Sequence, residues 1–353
     1  MDRKALLRKK LQKQKVDGFL ITDLLNVKYL TGFTGSAGYA LVTSKDAVFV
    51  TDFRYQEQSR QEVKGFKIKI ERGDRAREIK DLIDELGRKK LGFEDHQVTY
   101  GFYKKLLKKK IRLKPLTDTV ESLRIIKSPE EIACIRKAVR KAERAFRRLQ
   151  PFIKAGTTER KLALKLEEFL KEEGCKTLPF GVIVASGSQS ALPHAMPTDK
   201  VIKKGDFIVF DWGGEYNGYY SDMTRTVVVK GGNIPRQKEI YSIVLEAQQR
   251  AIESVKADIK AKVVDAAARN HIKQKGYGEN FGHGTGHGVG LAVHEKPYVS
   301  WRSKDDIKEN MVFTIEPGIY LPGFGGVRIE DMVVVRKDGA EVLTSLPKKF
   351  KVI

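Results

Sequence analysis

Apolar positions in the first third of the chain alternate between helical and strand spacing. MDRKALLRKKLQKQK (1–15) scatters leucines among charges and predicts an amphipathic helix, and the unbroken run GFLIT (18–22) predicts a strand. YALVTSKDAVFVT (39–51) predicts two short strands around the turn SKDA. KIKIE (67–71) and KLGFE (90–94) are further strand candidates. AREIKDLIDELGRKK, starting at Ala76, has helical spacing with Gly87 near its end. This alternation predicts a small α/β domain.

The pattern changes near 117–129. In SPEE (128–131) Ser128 is placed to cap a helix, with Pro129 at its first position and acids in its first turn. Ile132, Ile135, Val139, Phe146 and Leu149 then recur at helical spacing down to Pro151. A second long helix is expected from about Thr158 to Gly174, and two more around 236–256 and 263–275. DFIVFDWGGEYNGYYSDMTRTVVV (206–229) reads as a hairpin with a glycine-rich bend. MVFTIEPGIY (311–320) and GGVRIEDMVVV (325–335) read as two strands joined by LPGFGG. The expected fold class is α+β: an N-terminal α/β domain over 1–122, then a domain over 123–353 with helices around a largely antiparallel sheet. A helix pair followed by a carboxylate-bearing hairpin occurs twice, which hints at internal pseudo-symmetry.

Composition narrows the class. The 353 residues suit two domains or one large one, and 41% hydrophobic with 32% charged residues is an ordinary globular balance. No run of 18 apolar residues predicts a membrane span, and the charged N-terminus lacks the apolar core of a secretory signal. Two cysteines, Cys134 and Cys175, are too few for a disulfide framework, so a reducing cytoplasm is expected. A net charge of +22 raises nucleic acid as a partner. Basic runs such as KKLLKKK (104–110) and RKK (88–90) interleave with helix-spaced leucines, however, and solvated helix faces are the favoured reading.

The chemistry lies where charge interrupts apolar strands. Asp211 ends the run FIVF, and Asp222 heads the returning strand of the same hairpin. Glu316 ends VFTIE before Pro317 and Gly318, and Glu330 lies inside VRIEDMVVV. Alternation there puts Arg328 and Glu330 on one face and Val327, Ile329 and Asp331 on the other. One such acid could cap a turn, and Arg328 could pair with Glu330. Neither accounts for four buried carboxylates, each costly without a cation or hydrogen bonds. GENFGHGTGHGVGLAVHE (278–295) holds three of the six histidines, His283, His287 and His294. Four carboxylates and one imidazole from separate strands suit two divalent first-row cations, Mn, Co, Zn or Fe. No CxxC pair offers a thiolate site. The glycines beside His287 are expected to let backbone approach metals and substrate.

PHAMPTDK, FDWGGEYNGYYSDMTRT, GHGTGHGVGLAVHE, TIEPGIY and GGVRIED, in that order, resemble the signature segments of the pita-bread metallopeptidases. That family includes prolidase, aminopeptidase P, creatinase and methionine aminopeptidase. The resemblance covers about 125–350. GFLITDLLNVKYLTGFTGSAGYALV and TDFRYQEQ are similar to the additional N-terminal domain of prolidases and aminopeptidase P.

The resemblance implies a curved pita-bread sheet with Asp211, Asp222, His287, Glu316 and Glu330 as ligands of two divalent ions, Asp222 and Glu330 bridging. His294 matches the imidazole that contacts the substrate carbonyl, His194 a second histidine at the pocket rim, and Arg328 an arginine beside the bridging glutamate. His283 matches no ligand and is assigned a supporting role. The implied reaction is hydrolysis of the bond before proline, in Xaa-Pro dipeptides or at the start of longer peptides. A hydroxide shared by the metals would attack, and Glu316 would shuttle the proton. Phe180 and Tyr220 are candidates to line a proline pocket, with core packing an equally good account of either. Arg302 is a candidate for a dipeptide carboxylate, with an exposed surface arginine the simpler account. A homodimer is implied, with Asp52, Arg54 and Tyr55 approaching a neighbouring pocket. The competing class is a non-enzymatic relative that binds nucleic acid or histones. Relatives of that kind lack several of the five ligands, whereas all five stand here.

Overall fold

The computed structural model describes residues 2–87, 89–107, 111–232 and 234–353. Arg88 and Lys108 to Lys110, parts of the two basic runs, lie outside the described residues. The chain divides into two compact units, Met1–Arg124 and Ile125–Ile353. No helix among the described residues is long and apolar enough to cross a membrane.

The first unit is built on six strands: β1 (Gly18–Ile21), β2 (Tyr39–Thr43), β3 (Ala47–Thr51), β4 (Lys67–Ile70), β5 (Lys90–Glu94) and β6 (Arg112–Leu116). Its helices are α1 (Arg3–Gln14), α2 (Leu24–Thr31), α3 (Gln56–Glu62), α4 (Arg75–Glu85), α5 (Tyr100–Leu106) and the short α6 (Glu121–Arg124). The strand order is β4-β3-β2-β1-β5-β6. β1 is antiparallel to β2 and parallel to β5, so the order of winding reverses between β1 and β5. All four residues of β1 are buried, as a central strand covered on both faces requires. Several elements escaped the sequence pattern, α2 and β6 among them. α2 is started by Asp23, whose carboxylate accepts from Leu25 N and Asn26 N. β6 carries Pro115, which is tolerated because β6 is an edge strand.

The second unit opens on α7 (Pro129–Leu149), where Ser128 and Glu131 form a complete capping box. α8 (Glu159–Glu172), capped by Thr158, packs beside it. Phe146 of α7 stacks on Trp212 with ring centroids 4.3 Å apart, and the indole N–H donates to Ala142 O at 3.0 Å. Burying a side chain of this kind contributes about 1.5–3 kcal/mol. α9 (Ile234–Ser254) and α10 (Ala261–Gln274) form the second helix pair.

The sheets are antiparallel. β7 (Ile183–Ser186), β8 (Phe207–Trp212) and β11 (Met223–Val228) form one, with Thr224 opposite Asp211. In the bend of that hairpin the chain makes an extra ribbon, β9 (Glu215–Tyr216) and β10 (Tyr219–Tyr220). Its turn places Asn217 at φ 53° and Gly218 at φ 79°, the left-handed pair a two-residue hairpin demands. A second sheet has the order β13 (Glu295–Val299), β12 (Gly286–Gly288), β14 (Val312–Ile315), β17 (Asp331–Arg336), β18 (Gly339–Val342).

The two long strands expected over 311–320 and 325–335 are each broken. β14 stops before Glu316–Pro317 and resumes as β15 (Gly318–Leu321). β16 (Gly325–Arg328) ends before Ile329–Glu330, and β17 follows. β14 pairs with β17 and β15 with β16, in different sheets. Pro317 has no N–H to continue a ladder, and Glu330 N turns to Thr224 O at 3.1 Å. Both carboxylates therefore sit at the breaks. Helix pair followed by carboxylate hairpin does occur twice in the element order.

Candidate metal centre

Four backbone segments carry the five groups. Asp211 is on β8, and Asp222 immediately precedes β11 across the hairpin. His287 is the middle residue of β12, while Glu316 and Glu330 lie at the two strand breaks. The His287 loop is fixed from below by α10. Asp265 accepts from Thr285 N (3.2 Å) and its hydroxyl (2.8 Å), and Arg269 donates to the carbonyls of Phe281 (2.8 Å) and His283 (2.7 Å). Tyr220 N donates to Gly290 O at 2.9 Å and ties the same loop to the Asp222 bend.

The glycines beside His287 meet a packing requirement. A Cβ on Gly286 would lie 1.9 Å from Thr314 O, and one on Gly288 would lie 2.2 Å from Lys296 O. They let β12 press between its neighbouring strands, and so set the depth of His287.

The groups converge. His287 Nε2 is 3.6 Å from Asp222 Oδ2 and 3.4 Å from Glu316 Oε1. Ligand atoms of Asp222, His287 and Glu330 all lie within 4.8 Å of one another. Asp211 joins through Arg328, whose guanidinium pairs with Asp211 Oδ2. The pairing of Arg328 with Glu330 considered from the sequence is thus not the one formed. Arg328 also donates to Tyr320 OH (2.9 Å), Pro193 O (3.1 Å) and Thr224 Oγ1 (3.1 Å).

Donors fall short of acceptors. Asp211 Oδ1, Asp222 Oδ1 and Glu330 Oε1 are buried without a hydrogen-bond partner. Burial, then the neighbouring Glu330, Asp211 and Glu316, push the Asp222 carboxyl well above its ordinary range. Burial, then Glu316 and Asp211, do the same to Glu330. Glu316 is also raised, chiefly by burial. Burial holds His287 and His294 below the usual imidazole value, so both are neutral ligands or donors near neutral pH. Acceptor oxygens packed this closely are compensated by cations or by protons. The donor set of four carboxylates and one neutral imidazole fits divalent first-row ions.

The remaining candidates divide. The His294 ring lies 4.1 Å from that of His287, centroid to centroid. Glu295 beside it is held by buried Lys127 at 2.6 Å. His194 is exposed, yet near enough to add to the depression of His294. His283 supports: its Nε2 is 2.9 Å from Tyr320 OH, the hydroxyl that accepts from Arg328. Phe180 is half-buried just before β7. Arg302 is exposed after β13, its guanidinium 5.5 Å from the Trp301 ring. Tyr320, Thr224 and Thr314 were missed. Thr224 Oγ1 donates to Glu330 Oε2 (2.7 Å), and Thr314 Oγ1 to Glu316 Oε1 (3.3 Å). A signal existed: Thr224 and Thr314 each stand two residues from a carboxylate, on the same strand face.

Comparison with known proteins identifies the family. Residues 133–337 match the model of metallopeptidase family M24, and residues 3–126 match the creatinase/prolidase N-terminal domain. An Xaa-Pro dipeptidase of Pyrococcus horikoshii is 43% identical over 96% of each chain. Among solved structures, an Xaa-Pro dipeptidase from Bacillus anthracis superposes with a TM-score of 0.97 at 42% identity, covering 100% of this chain and 99% of that one. An X-Pro aminopeptidase from Thermotoga maritima does so with a TM-score of 0.91 at 38% identity, covering 98% and 100%. The fold is therefore the pita-bread peptidase fold behind a creatinase-type N-terminal domain. The chain belongs to metallopeptidase family M24 and is an enzyme of that class.

Proposed function

We propose that the chain is a dinuclear-metal peptidase that hydrolyses the bond before proline, in Xaa-Pro dipeptides or at the N-terminus of short Xaa-Pro peptides. The observation that carries this reading is the set of three unpartnered, buried carboxylate oxygens on Asp211, Asp222 and Glu330 around a neutral His287. Asp211, Asp222, His287, Glu316 and Glu330 would hold two divalent ions of Mn, Co, Zn or Fe. Bound there, the ions supply Lewis acidity toward the scissile carbonyl and make water acidic enough to act near neutral pH.

The chain's own groups do the rest. Glu316, raised by burial and close to His287, takes a proton on a carboxylate oxygen and returns it to the leaving nitrogen. His294, kept neutral by burial, donates its N–H to the carbonyl oxygen as charge develops, with His194 beside it at the rim. Arg328 holds Asp211 in place from the opposite side, braced by Tyr320. A proline nitrogen has no proton and is ring-constrained, so the substrate needs an apolar recess; Phe180 and Tyr220 are the proposed lining. Of the relatives above, the two named for dipeptides are the more similar, which favours the dipeptide. A chain with only two cysteines suits a cytoplasmic enzyme, and a homodimer is proposed on the family resemblance.

The test is a panel of Xaa-Pro and Xaa-Pro-Yaa peptides, run after chelation and after adding back Mn, Co, Zn or Fe. Cleavage confined to Xaa-Pro, and only with metal, is the expected result. Preference for tripeptides would move the assignment to the aminopeptidase, and equal cleavage of peptides lacking proline would overturn it.

A further inference from the structure

We propose that the N-terminal unit holds a divalent cation of its own, bound by Asp23, His96 and Glu121. Ligand atoms of these three side chains lie within 4.8 Å of one another. His96 Nε2 is 3.4 Å from Asp23 Oδ2 and 3.5 Å from Glu121 Oε1. The first is a long hydrogen bond, and both separations also suit shared coordination. Tetrahedral bonds of about 2.1 Å place neighbouring donor atoms about 3.4 Å apart. The same spacing recurs around His287, at 3.4 and 3.6 Å.

Two independent features point to a ligand at this place. Glu121 Oε2 is buried and has no hydrogen-bond partner, although its sister oxygen accepts from Asn26 Nδ2. The cluster also sits where an open α/β sheet receives ligands. Asp23 follows β1, Asp95 and His96 follow β5, and β1 and β5 are the parallel neighbours between which the winding order reverses.

Charge agrees. Asp23, Glu94, Asp95 and Glu121 bring four carboxylates together, in a chain whose net charge is +22. Glu94 is buried and fully engaged, accepting from Thr22 N (2.7 Å), Asp23 N (2.7 Å) and Asn26 Nδ2 (2.8 Å). It thereby fixes the start of α2 and leaves Asp23 Oδ2 turned to His96. Arg124 donates to Asn26 Oδ1 at 3.0 Å and so orients the amide. His96 is 45% exposed, which gives a cation its entry path. One nitrogen and two oxygens select a divalent first-row ion of the zinc type, with water completing the shell. The ion would tie the β1–α2 junction, the end of β5 and α6 together.

The probe is Zn2+ and the readout is metal bound per chain, not hydrolysis. Full-length protein carrying Asp222→Asn, His287→Ala and Glu330→Gln is stripped with chelator and equilibrated with Zn2+ by dialysis. One equivalent is expected to remain. Adding His96→Ala or Glu121→Gln is expected to weaken it by at least about tenfold, the low end of what even an outer partner of a ligand contributes. If the triple variant does not fold, the comparison is made in the otherwise unaltered protein, where His96→Ala should remove one equivalent and leave the others. The proposal is overturned if no zinc remains once the catalytic groups are replaced, or if the remaining zinc is indifferent to His96 and Glu121.

Discussion

Glu330 and Asp331 are consecutive, both buried, and treated in opposite ways. Asp331 accepts from Arg225 Nη2 (2.8 Å), Gln248 Nε2 (2.8 Å) and Thr344 Oγ1 (2.5 Å), with Lys348 Nζ at 2.6 Å. Burial alone would raise its carboxyl, but Arg225 and Lys348 outweigh burial and hold it below the ordinary value. Glu330, facing the other way, accepts from Thr224 Oγ1, and its Oε1 is unpartnered. Burial and the carboxylates of Glu316 and Asp211 raise it well above the ordinary value. Arg225 touches both sides, since its Nη1 also donates to Glu330 O at 2.6 Å. Burial alone does not separate these two carboxylates. The balance of donors does: Asp331 closes an ion pair, and Glu330 is left open to a cation.

Substitutions can break that contrast. The largest effect is expected of Glu330→Gln, which should abolish peptide hydrolysis. Without metal, the variant should melt no lower than the parent, because it removes a charge the apo cluster does not compensate. Activity assays and thermal scans after chelation check both halves. Next comes Asp331→Asn, which strands Arg225 and Lys348. It should cost about 3–5 kcal/mol in urea unfolding, as breaking a buried pair does.

The pH dependence of the two residues should also have opposite sign. The raised carboxyl of Glu330 favours folding at low pH, and that stability is lost as pH climbs past the ordinary carboxylate range toward the folded value. The depressed carboxyl of Asp331 contributes stability above its unfolded value, lost as pH falls through the folded one. In chelated protein, Glu330→Gln should therefore flatten the loss on the alkaline side, and Asp331→Asn the loss on the acid side. The smallest effect is expected of His294→Ala. Turnover should fall by about a hundredfold, near 2.7 kcal/mol, as for one lost oxyanion donor, with stability little changed. A kcat intact with KM raised would make His294 a binding group only.

Much of the candidate site was legible because charge at the end of an apolar strand is costly and therefore conspicuous; Asp211 after FIVF and Glu316 after VFTI stand out on that ground alone. Their supports did not stand out. A threonine in a strand is ordinary even two residues from an acid, and the contact of Thr224 with Glu330 spans 106 residues. Arg225 likewise reads as a stray charge until Asp331 is beside it. Helices with caps and apolar spacing, such as α7, were readable from local signals. β12 was not, since Gly286 and Gly288 are poor strand formers, and the strand exists because neighbouring backbones close on them. Asp23, His96 and Glu121 share no sequence pattern, and only the reversal of strand order between β1 and β5 brings them together.

The most direct test of the metal centre is a count. Protein carrying His96→Ala, so that the N-terminal cluster does not contribute, is stripped by chelation and titrated with Mn2+ or Co2+ while Xaa-Pro hydrolysis is followed. Activity should be absent at the start and saturate at two equivalents per chain. Full hydrolysis by the stripped protein, with no ion bound, would contradict the account.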